Sequence, residues 1–309
     1  MATQQVVSPV AIPKVHGHAT LAAMQFVSGG CAGFIEVIIM NPLDLVKTRF
    51  QIQGGANDPN RYNSVLDCFR KMYRQEGAMS FYKGILPPML AETPKRAVKF
   101  FTFERYKNLF AYGDYLSQPV LLTLAGLFAG FTEAIVVNPF EVVKVKLQAE
   151  RSKFSEQSST IKTAKEIVAK DGFGLKGLNK GITATLGRHG VFNMVYFGFY
   201  HNVKGLVPEQ QDPVKDFFRR FVIGLMAGTL SSITNIPFDV AKSRIQGPQP
   251  VPGQIKYKSC FQTMALVYKE EGYFALYKGL VPKVMRLGPG GAIMLLVYEN
   301  VFEFLQKKF

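Results

Sequence analysis

PLDLVKTRFQ (residues 42–51), PFEVVKVKLQ (139–148) and PFDVAKSRIQ (237–246) are three versions of one pattern. Their prolines are 97 and 98 residues apart, so the 309-residue chain consists of about three copies of one unit. This period is longer than the roughly 20–50 residues of common solenoid repeats. Each copy places an acid, a base and an amide next to a helix-breaking proline in apolar sequence.

The composition suggests a membrane protein without an obvious hydropathy signature. Hydrophobic residues make up 48% of the chain, yet no run of about 18 uncharged apolar residues occurs. The net charge of +15 is compatible with nucleic acid, an anionic membrane surface or anionic substrates as partners. The three cysteines, Cys31, Cys68 and Cys260, fit no zinc or redox spacing and are expected to be reduced.

Each unit predicts two long helices with a short amphipathic segment between them. The first helix carries two glycines four residues apart, a spacing that lets helices approach closely in a membrane. Its proline should kink the helix rather than end it, because the apolar periodicity resumes afterwards. The glycine pairs are Gly29/Gly33, Gly126/Gly130 and Gly224/Gly228, the kinks are at Pro42, Pro139 and Pro237, and the amphipathic segments include 62–75 and 257–269.

The second long helices are predicted at about 85–112, 182–206 and 280–306. Two long helices per unit predict an all-α membrane protein with six transmembrane helices in three tandem repeats. The repeats cover residues 20–113, 114–212 and 213–309, after a disordered tail over residues 1–19. An even number of spans places both termini on one side of the membrane.

The acid and the first base of each pattern are three residues apart and share one helix face. Charges in spanning helices are costly and by default line a cavity or pair with one another. Each acid could pair locally, or reach the base of the next repeat and close one end of a central pathway. The cross-repeat pairs would be Asp44–Lys144, Glu141–Lys242 and Asp239–Lys47, braced by Gln51, Gln148 and Gln246 one helical turn after the lysines.

The threefold pattern, with the glycine pairs before it, resembles the mitochondrial carrier family from about Ala22 to Lys307. The resemblance implies alternating access through a central site in the inner mitochondrial membrane, with the acid–lysine gate and the amphipathic helices on the matrix side. Both termini would face the intermembrane space, and we expect a functional monomer. No cofactor or metal is expected. Bound cardiolipin is a family-level expectation, at helix N-termini near Gly77, Gly174 and Gly272.

The resemblance also implies a cytoplasmic gate on the second helices. Neighbouring repeats would pair Glu104 with Lys204 and Glu299 with Lys107, whereas the third position has His201 and Phe302 and forms no salt bridge. We therefore predict two bridges at this gate against three on the matrix side. This gate should open more readily.

Family resemblance places the substrate on the second helices, 13 residues before the cytoplasmic gate, at Ala91, Arg188 and Arg286 with their neighbours Glu92, His189 and Leu287. Two planar guanidinium groups, each able to donate parallel hydrogen bonds to one carboxylate, suit a ligand with two carboxylates better than a triphosphate or a tricarboxylate. Alternatively, both arginines pair with acids of the first helices, where Glu36, Glu133 and Ser231 occupy equivalent positions. His189 could donate to a keto oxygen or be a packed polar residue. Lys95, Arg96 and Lys99 could steer anions or neutralise Glu92.

Residues 90–101, 185–194, 246–253 and 286–291 narrow the resemblance to family members that exchange 2-oxo acids with two carboxylates, such as 2-oxoadipate and 2-oxoglutarate. The alternative within the family is a carrier of citrate, another di- or tricarboxylate, or a nucleotide. A nucleic-acid binder would not explain charges confined to loops between apolar helices. An enzyme would need a nucleophile or metal-ligand set, and the four histidines suggest none. The expected partners are dicarboxylate substrates and membrane lipid.

Overall fold

The computed structural model describes residues 18–54, 61–112, 116–208, 211–250 and 254–308. These residues form nine α-helices and three short 3-10 helices, and no strand occurs among them. Of the tail expected over residues 1–19, residues 1–17 lie outside the described part and the last two already belong to the first helix. The helices are α1 His18–Ile52, α2 Val65–Glu76, α3 Leu86–Ala111, α4 Gln118–Ala149, α5 Thr160–Asp171, α6 Ile182–Leu206, α7 Pro213–Gln246, α8 Cys260–Glu271 and α9 Leu280–Lys308.

Six of these helices are long enough to cross a membrane. The shortest, α6, has 25 residues, which corresponds to about 38 Å of helix against roughly 30 Å of hydrocarbon. Four described segments are also apolar enough for a span on hydropathy alone: Ala23–Ile52, Gln118–Ala149, Lys215–Gln246 and Tyr273–Lys308. Helices α3 and α6 fall outside that set but complete the same bundle. The predicted all-α fold with three repeats is confirmed.

The six long helices form a closed ring. Helix α3 packs on α4, α4 on α6, α6 on α7, and α9 on α1, with α1–α3 and α7–α9 contacts completing the circle. The short helices α2, α5 and α8 pack against the ends of α1, α4 and α7, and each follows a serine. Each short helix ends at a glycine in the left-handed region, at Gly77, Gly172 or Gly272. The same local design therefore occurs three times.

The patterned prolines lie inside continuous helices, as predicted. Pro42, Pro139 and Pro237 are interior residues of α1, α4 and α7. The glycine pairs are less uniform than expected. A Cβ atom at Gly126 would lie 2.5 Å from Phe197, and one at Gly130 would lie 2.5 Å from Asn193. Helix α4 therefore favours glycine at these two positions, where α6 packs closely against it.

The close approach expected at the other two glycine pairs is only partly present. A Cβ atom at Gly33 would lie 2.7 Å from Glu92, but one at Gly29 would meet nothing within 4 Å. At Gly224 and Gly228 the nearest atoms, 3.7 Å and 3.6 Å away, are ordinary contacts. The repeats are therefore packed with different tightness, because the facing side chains differ.

The glycines proposed to mark lipid-binding helix N-termini do not begin α-helices. Gly77 and Gly272 end α2 and α8 and precede five-residue 3-10 helices, while Gly174 lies in the turn after α5. Gly77 and Gly272 are the N-cap residues of these 3-10 helices, so two of the three predicted positions lie at the N-terminus of a short helix. The cardiolipin expectation itself remains untested.

Candidate functional site

The site lies at the centre of the ring and is lined by all six long helices. Two adjoining cavities of about 150 Å³ and 480 Å³ occupy this place. The larger one falls within the roughly 300–1,000 Å³ range of small-molecule sites. Both cavities are lined by the same six polar residues, and so they form one central cavity; the shared residues are Asp44, Lys47, Lys95, Arg188, His189 and Arg286.

Three ion pairs join the repeats at one end of this cavity. Lys144 lies 2.9 Å from Asp44, Lys242 lies 2.6 Å from Glu141, and Lys47 lies 2.9 Å from Asp239. These are the cross-repeat pairs that the sequence predicts, rather than the local pairs within one helix. We call this end of the bundle the paired end.

The regularly spaced glutamines have a different role from the one predicted. Gln148 accepts a hydrogen bond from Thr48 at 2.8 Å, and Gln51 accepts one from Ser243 at 2.7 Å. Gln246 donates to Asn138 at 3.0 Å. The amides thus connect the repeats beside the ion pairs instead of bracing them, because each side chain is directed at the neighbouring helix.

Each acid of the paired end is also held by a cation from a second helix. Asp44 is 2.9 Å from Arg286, Glu141 is 2.6 Å from Arg188, and Asp239 is 2.7 Å from Lys283. The predicted substrate arginines and the predicted gate acids are therefore in direct contact. The gate and the binding cavity form one network of charges.

The two arginines are paired with acids of the first helices, as the alternative interpretation expected. Arg286 contacts Glu36 at 2.6 Å, whereas Arg188 contacts Glu141 at 2.6 Å and Asp239 at 3.6 Å rather than Glu133. The Nε–H group of each arginine is nevertheless buried and makes no hydrogen bond to the described residues, although that of Arg188 lies 3.6 Å from Asp239. A buried donor without a hydrogen bond is costly, so the Nε–H group of Arg286 keeps capacity for a further acceptor.

His189 lines the central cavity, but both of its ring nitrogens already have partners. Its Nδ1 lies 3.4 Å from Glu133, and its Nε2 is in hydrogen-bond contact with Arg188. This arrangement fits a neutral imidazole that accepts from the guanidinium and donates to the carboxylate. The contacts agree with the interpretation of His189 as a packed polar residue, one that orients Arg188.

The remaining predicted contact residues divide between structural and open positions. Glu92 is buried and neutralised by Arg96 at 2.7 Å and Lys95 at 3.6 Å. Ala91 is buried in the wall of the smaller cavity, and Leu287 lines the larger one. Lys99 also lines the larger cavity and forms no ion pair within 4 Å among the described residues.

The central cavity has an excess of positive charge. Eight cations and six carboxylates line the two cavities, so the formal charge is +2 when His189 is neutral. Such an excess in a low-dielectric cavity attracts anions and opposes cations. The cations are Lys47, Lys95, Lys99, Lys144, Arg188, Lys242, Lys283 and Arg286, and the acids are Glu36, Asp44, Glu92, Glu133, Glu141 and Asp239.

The predicted ion pairs at the opposite end of the bundle are not formed. Glu104 contacts Lys107 of its own helix at 3.5 Å, and both side chains are exposed. Glu299 and Lys204 form no ion pair within 4 Å in the described part of the chain, and the side chain of His201 lies outside it. The described second helices are therefore not joined at this end by the predicted ion pairs. We call this the open end.

Sequence reasoning missed one cation of the site, Lys283. It lies three residues before Arg286 and contacts both Asp239 and Asn235. A lysine inside the apolar stretch 280–287 was the available signal. It was overlooked because the equivalent positions in the other repeats, Pro88 and Thr185, carry no charge.

A family profile described as "Mitochondrial carrier protein" matches residues 20–114, 117–211 and 214–309. The chain belongs to the mitochondrial carrier family. It is 65% identical over 286 residues to the human "Mitochondrial 2-oxodicarboxylate carrier", covering 93% of this chain and 95% of the relative. The bovine protein of the same name is 65% identical, covering 94% and 97%. The "Mitochondrial citrate transporter D" of Aspergillus niger is 41% identical, covering 91% and 94%.

Membership of this family confirms the resemblance inferred from the repeated pattern. The chain is a transporter and not an enzyme, and it is a multi-pass protein of the mitochondrial inner membrane. The charged central cavity is accordingly the candidate site for cargo.

Proposed function

We propose that this mitochondrial carrier exchanges 2-oxodicarboxylates, such as 2-oxoadipate and 2-oxoglutarate, by alternating access. The observation that carries the proposal is the central cavity, which two partly exposed guanidinium groups line and whose formal charge is +2. A dicarboxylate at neutral pH has two negative charges and would neutralise this excess. The 65% identity to relatives named for 2-oxodicarboxylates favours the 2-oxo acids within that class.

Arg188 and Arg286 are the residues best suited to bind the two carboxylates. Both line the central cavity, Arg286 has an Nε–H group without a hydrogen bond among the described residues, and arginine recognises carboxylates through parallel hydrogen bonds. Ala91 and Leu287 would provide the apolar wall along the carbon chain. His189 and Glu92 would position the binding cations rather than contact the substrate themselves.

Substrate binding would act on the gate through the acids that the arginines share with it. A substrate carboxylate that takes over Arg286 competes with Asp44, and one that takes over Arg188 competes with Glu141. Each released acid then keeps one cation instead of two. The paired end is weakened only when cargo is present, which is the differential interaction that a ligand-driven transition requires.

The paired end corresponds to the matrix gate and the open end to the cytoplasmic gate in this proposal. Both termini would then face the intermembrane space. The matrix gate consists of three cross-repeat pairs, whereas the cytoplasmic gate can form only Glu104–Lys204 and Glu299–Lys107. A single ring of six helices encloses the cavity, so a monomer suffices for transport.

A citrate carrier is the second candidate. The 41% identity to the citrate transporter of Aspergillus niger supports it. Citrate has one more carboxylate than a 2-oxodicarboxylate and would exceed the +2 charge of the cavity. Lys99, which has no ion-pair partner within 4 Å among the described residues, could accept that additional carboxylate. The +2 charge of the cavity already includes Lys99, however, and it is balanced by the two negative charges of a dicarboxylate.

Exchange in liposomes tests these alternatives directly. Vesicles loaded with 2-oxoglutarate should take up external labelled 2-oxoadipate in proportion to the reconstituted protein. Citrate and ADP should be taken up much more slowly under the same conditions. Faster uptake of citrate would assign the protein to the second candidate, and indifference to all three would refute the proposal.

A further inference from the structure

The second repeat lacks a buried ion triad that the first and third repeats contain. In the first repeat the Glu76 carboxylate accepts from Arg49 at 3.0 Å and from Lys83 at 2.6 Å. The side chains of both cations are completely buried. In the third repeat Glu271 is likewise bound by Arg244 at 2.8 Å and by Lys278 at 2.6 Å.

These triads hold neighbouring repeats together at the paired end. Arg49 and Lys83 donate to the carbonyl of Glu150, just after α4, at 2.5 Å and 3.1 Å. In the third repeat Arg244 donates to the carbonyl of Gln51, at the end of α1, at 2.6 Å. Cations are favourable at helix C-termini, where carbonyls lack intrahelical partners. The buried carboxylate keeps both cations desolvated and in place.

The corresponding residues of the second repeat are Lys146, Asp171 and Lys180. Neither lysine comes within 4 Å of Asp171, all three being in the described part of the chain. Lys146 instead approaches Glu166 at 4.0 Å on the surface. The reason is in the sequence: aspartate is one methylene shorter than glutamate, and nine residues separate the acid from the lysine instead of seven.

A cavity of about 460 Å³ occupies the place of the missing triad. We call it the second-repeat pocket. Four lysines and two acids line it, so its formal charge is +2, and its far wall is the end of α7 in the third repeat. Burial lowers the pKa of Lys180, because no carboxylate within 4 Å offsets its loss of solvation. The lysines are Lys146, Lys170, Lys176 and Lys180, and the acids are Glu150 and Asp171.

We infer that the second-repeat pocket binds a small water-soluble anion of the phosphate type, whose oxygens take the place of the carboxylates of Glu76 and Glu271. A bound anion between Lys146 and Lys180 would supply the negative charge that the protein itself lacks here. It would also hold the two lysines beside residues 246–249, as the glutamate side chain holds the cations in the other two repeats. The pocket is separate from the central cavity, so its occupant stabilises the closed paired end and is not transported.

Thermal unfolding of the purified protein in a neutral detergent with fixed lipid content tests the inference. Inorganic phosphate is titrated at constant ionic strength against chloride. The midpoint temperature should rise with phosphate and saturate, because the ligand binds the folded state alone. Lys146→Gln and Lys180→Gln should each weaken the apparent affinity about tenfold, the effect of one lost charge-assisted hydrogen bond.

Three comparisons distinguish phosphate in this pocket from phosphate in the central cavity and from a bound lipid headgroup. Lys165→Gln, which removes an exposed lysine of α5 outside the pocket, should leave the phosphate response unchanged. Arg286→Ala should leave it unchanged as well; loss of the response in that variant alone would place phosphate in the central cavity and overturn the inference. A stabilisation by micelles containing an anionic phospholipid that free phosphate fails to reproduce would assign the pocket to lipid headgroups and also overturn it.

A repaired triad provides an independent check. Asp171→Glu combined with deletion of Gly174 and Leu175 restores the glutamate and the seven-residue spacing of the other repeats. This variant should unfold at a higher temperature without phosphate and should no longer respond to it. An undiminished phosphate response in this variant would contradict the inference.

Discussion

Arg286 of α9 and Asp44 of α1 are 242 residues apart in the chain and 2.9 Å apart in the structure. The other carboxylate oxygen of Asp44 is 2.9 Å from Lys144. One acid thus connects a cation suited to cargo with a cation that seals the paired end. Substrate binding and gating are therefore expected to be coupled through a single carboxylate.

Replacing either arginine by alanine should abolish exchange. Each substitution removes a charged donor pair, an effect of about 1.5–3 kcal/mol, or roughly 10–150-fold in substrate affinity. Arg188→Lys and Arg286→Lys are the matched controls. Lysine keeps the positive charge but cannot donate two parallel hydrogen bonds to a carboxylate. These variants should therefore raise KM and lose less of the maximal rate than the alanine variants. Uptake of labelled 2-oxoadipate by liposomes is the measurement, and near-normal exchange by either alanine variant would refute a carboxylate-binding role.

Lys144 and Arg286 should show energetic coupling, because both hold Asp44. Lys144→Gln alone leaves Asp44 with Arg286, and Arg286→Gln alone leaves it with Lys144. The double variant strands a buried carboxylate, so its destabilisation should exceed the sum of the single effects by about 0.5–3 kcal/mol. Thermal or denaturant unfolding in detergent measures the cycle. Lys144 with the exposed, distant Lys307 is the control pair, whose effects should add; additivity in the test pair would disprove the shared network.

Completing the open-end gate should slow transport. His201→Glu with Phe302→Lys introduces the third pair that the sequence lacks, and an exposed pair contributes about 0–1 kcal/mol, or up to about fivefold in population. We expect slower exchange and slower labelling of the cavity by a membrane-impermeant maleimide. The reporter is Met294→Cys, which lines the larger cavity.

The labelling experiment needs a background without the exposed Cys31, supplied by Cys31→Ala. Cys68 and Cys260 can remain, because burial raises their pKa to about 12 and about 11 and keeps them as unreactive thiols at neutral pH. His201→Gln with Phe302→Leu is the control, since it changes the same positions without adding a pair. Equal labelling rates in the two double variants would rule out a gate at this end.

Lys99→Gln should lower the rate of substrate capture without closing the cavity. The substitution reduces the formal charge from +2 to +1 at a lysine that has no ion-pair partner within 4 Å among the described residues. We expect a several-fold higher KM, a smaller change in maximal rate, and weaker salt dependence of uptake. Lys307→Gln, which removes an exposed lysine outside the cavity, is the control. A salt dependence identical to that of the unchanged protein would exclude a steering role for Lys99.

Much of the architecture could be predicted from the sequence, because it is written three times. The register of Pro42, Pro139 and Pro237 predicts the helices, and the spacing of acid and base predicts which residues meet across the repeats. The positions of Arg188 and Arg286 came from the family resemblance, which implied a site 13 residues before the cytoplasmic gate. Repetition supplied the information here that a single helix would not contain.

The rest depends on contacts that have no counterpart in the other repeats. Lys283 was overlooked because Pro88 and Thr185 occupy the equivalent positions. The partner of Arg188 could not be chosen between Glu133 and Glu141 from spacing, since both lie on the same face of α4 and only the rotamers decide. The glutamines were assigned to the wrong partners for the same reason. Pairing at the open end depends on the conformational state, which one sequence does not specify.

Every acid of the paired end is bound by at least two cations, so the empty carrier has to break several ion pairs to open this end. Asp44 and Glu141 each keep two cations, and Asp239 keeps three, until an incoming dianion competes for the arginines. Net movement of metabolite down its gradient is thereby opposed, because the carrier also needs a bound substrate to return to its first conformation. Under the proposed function, one-for-one counter-exchange would follow from how three carboxylates are shared.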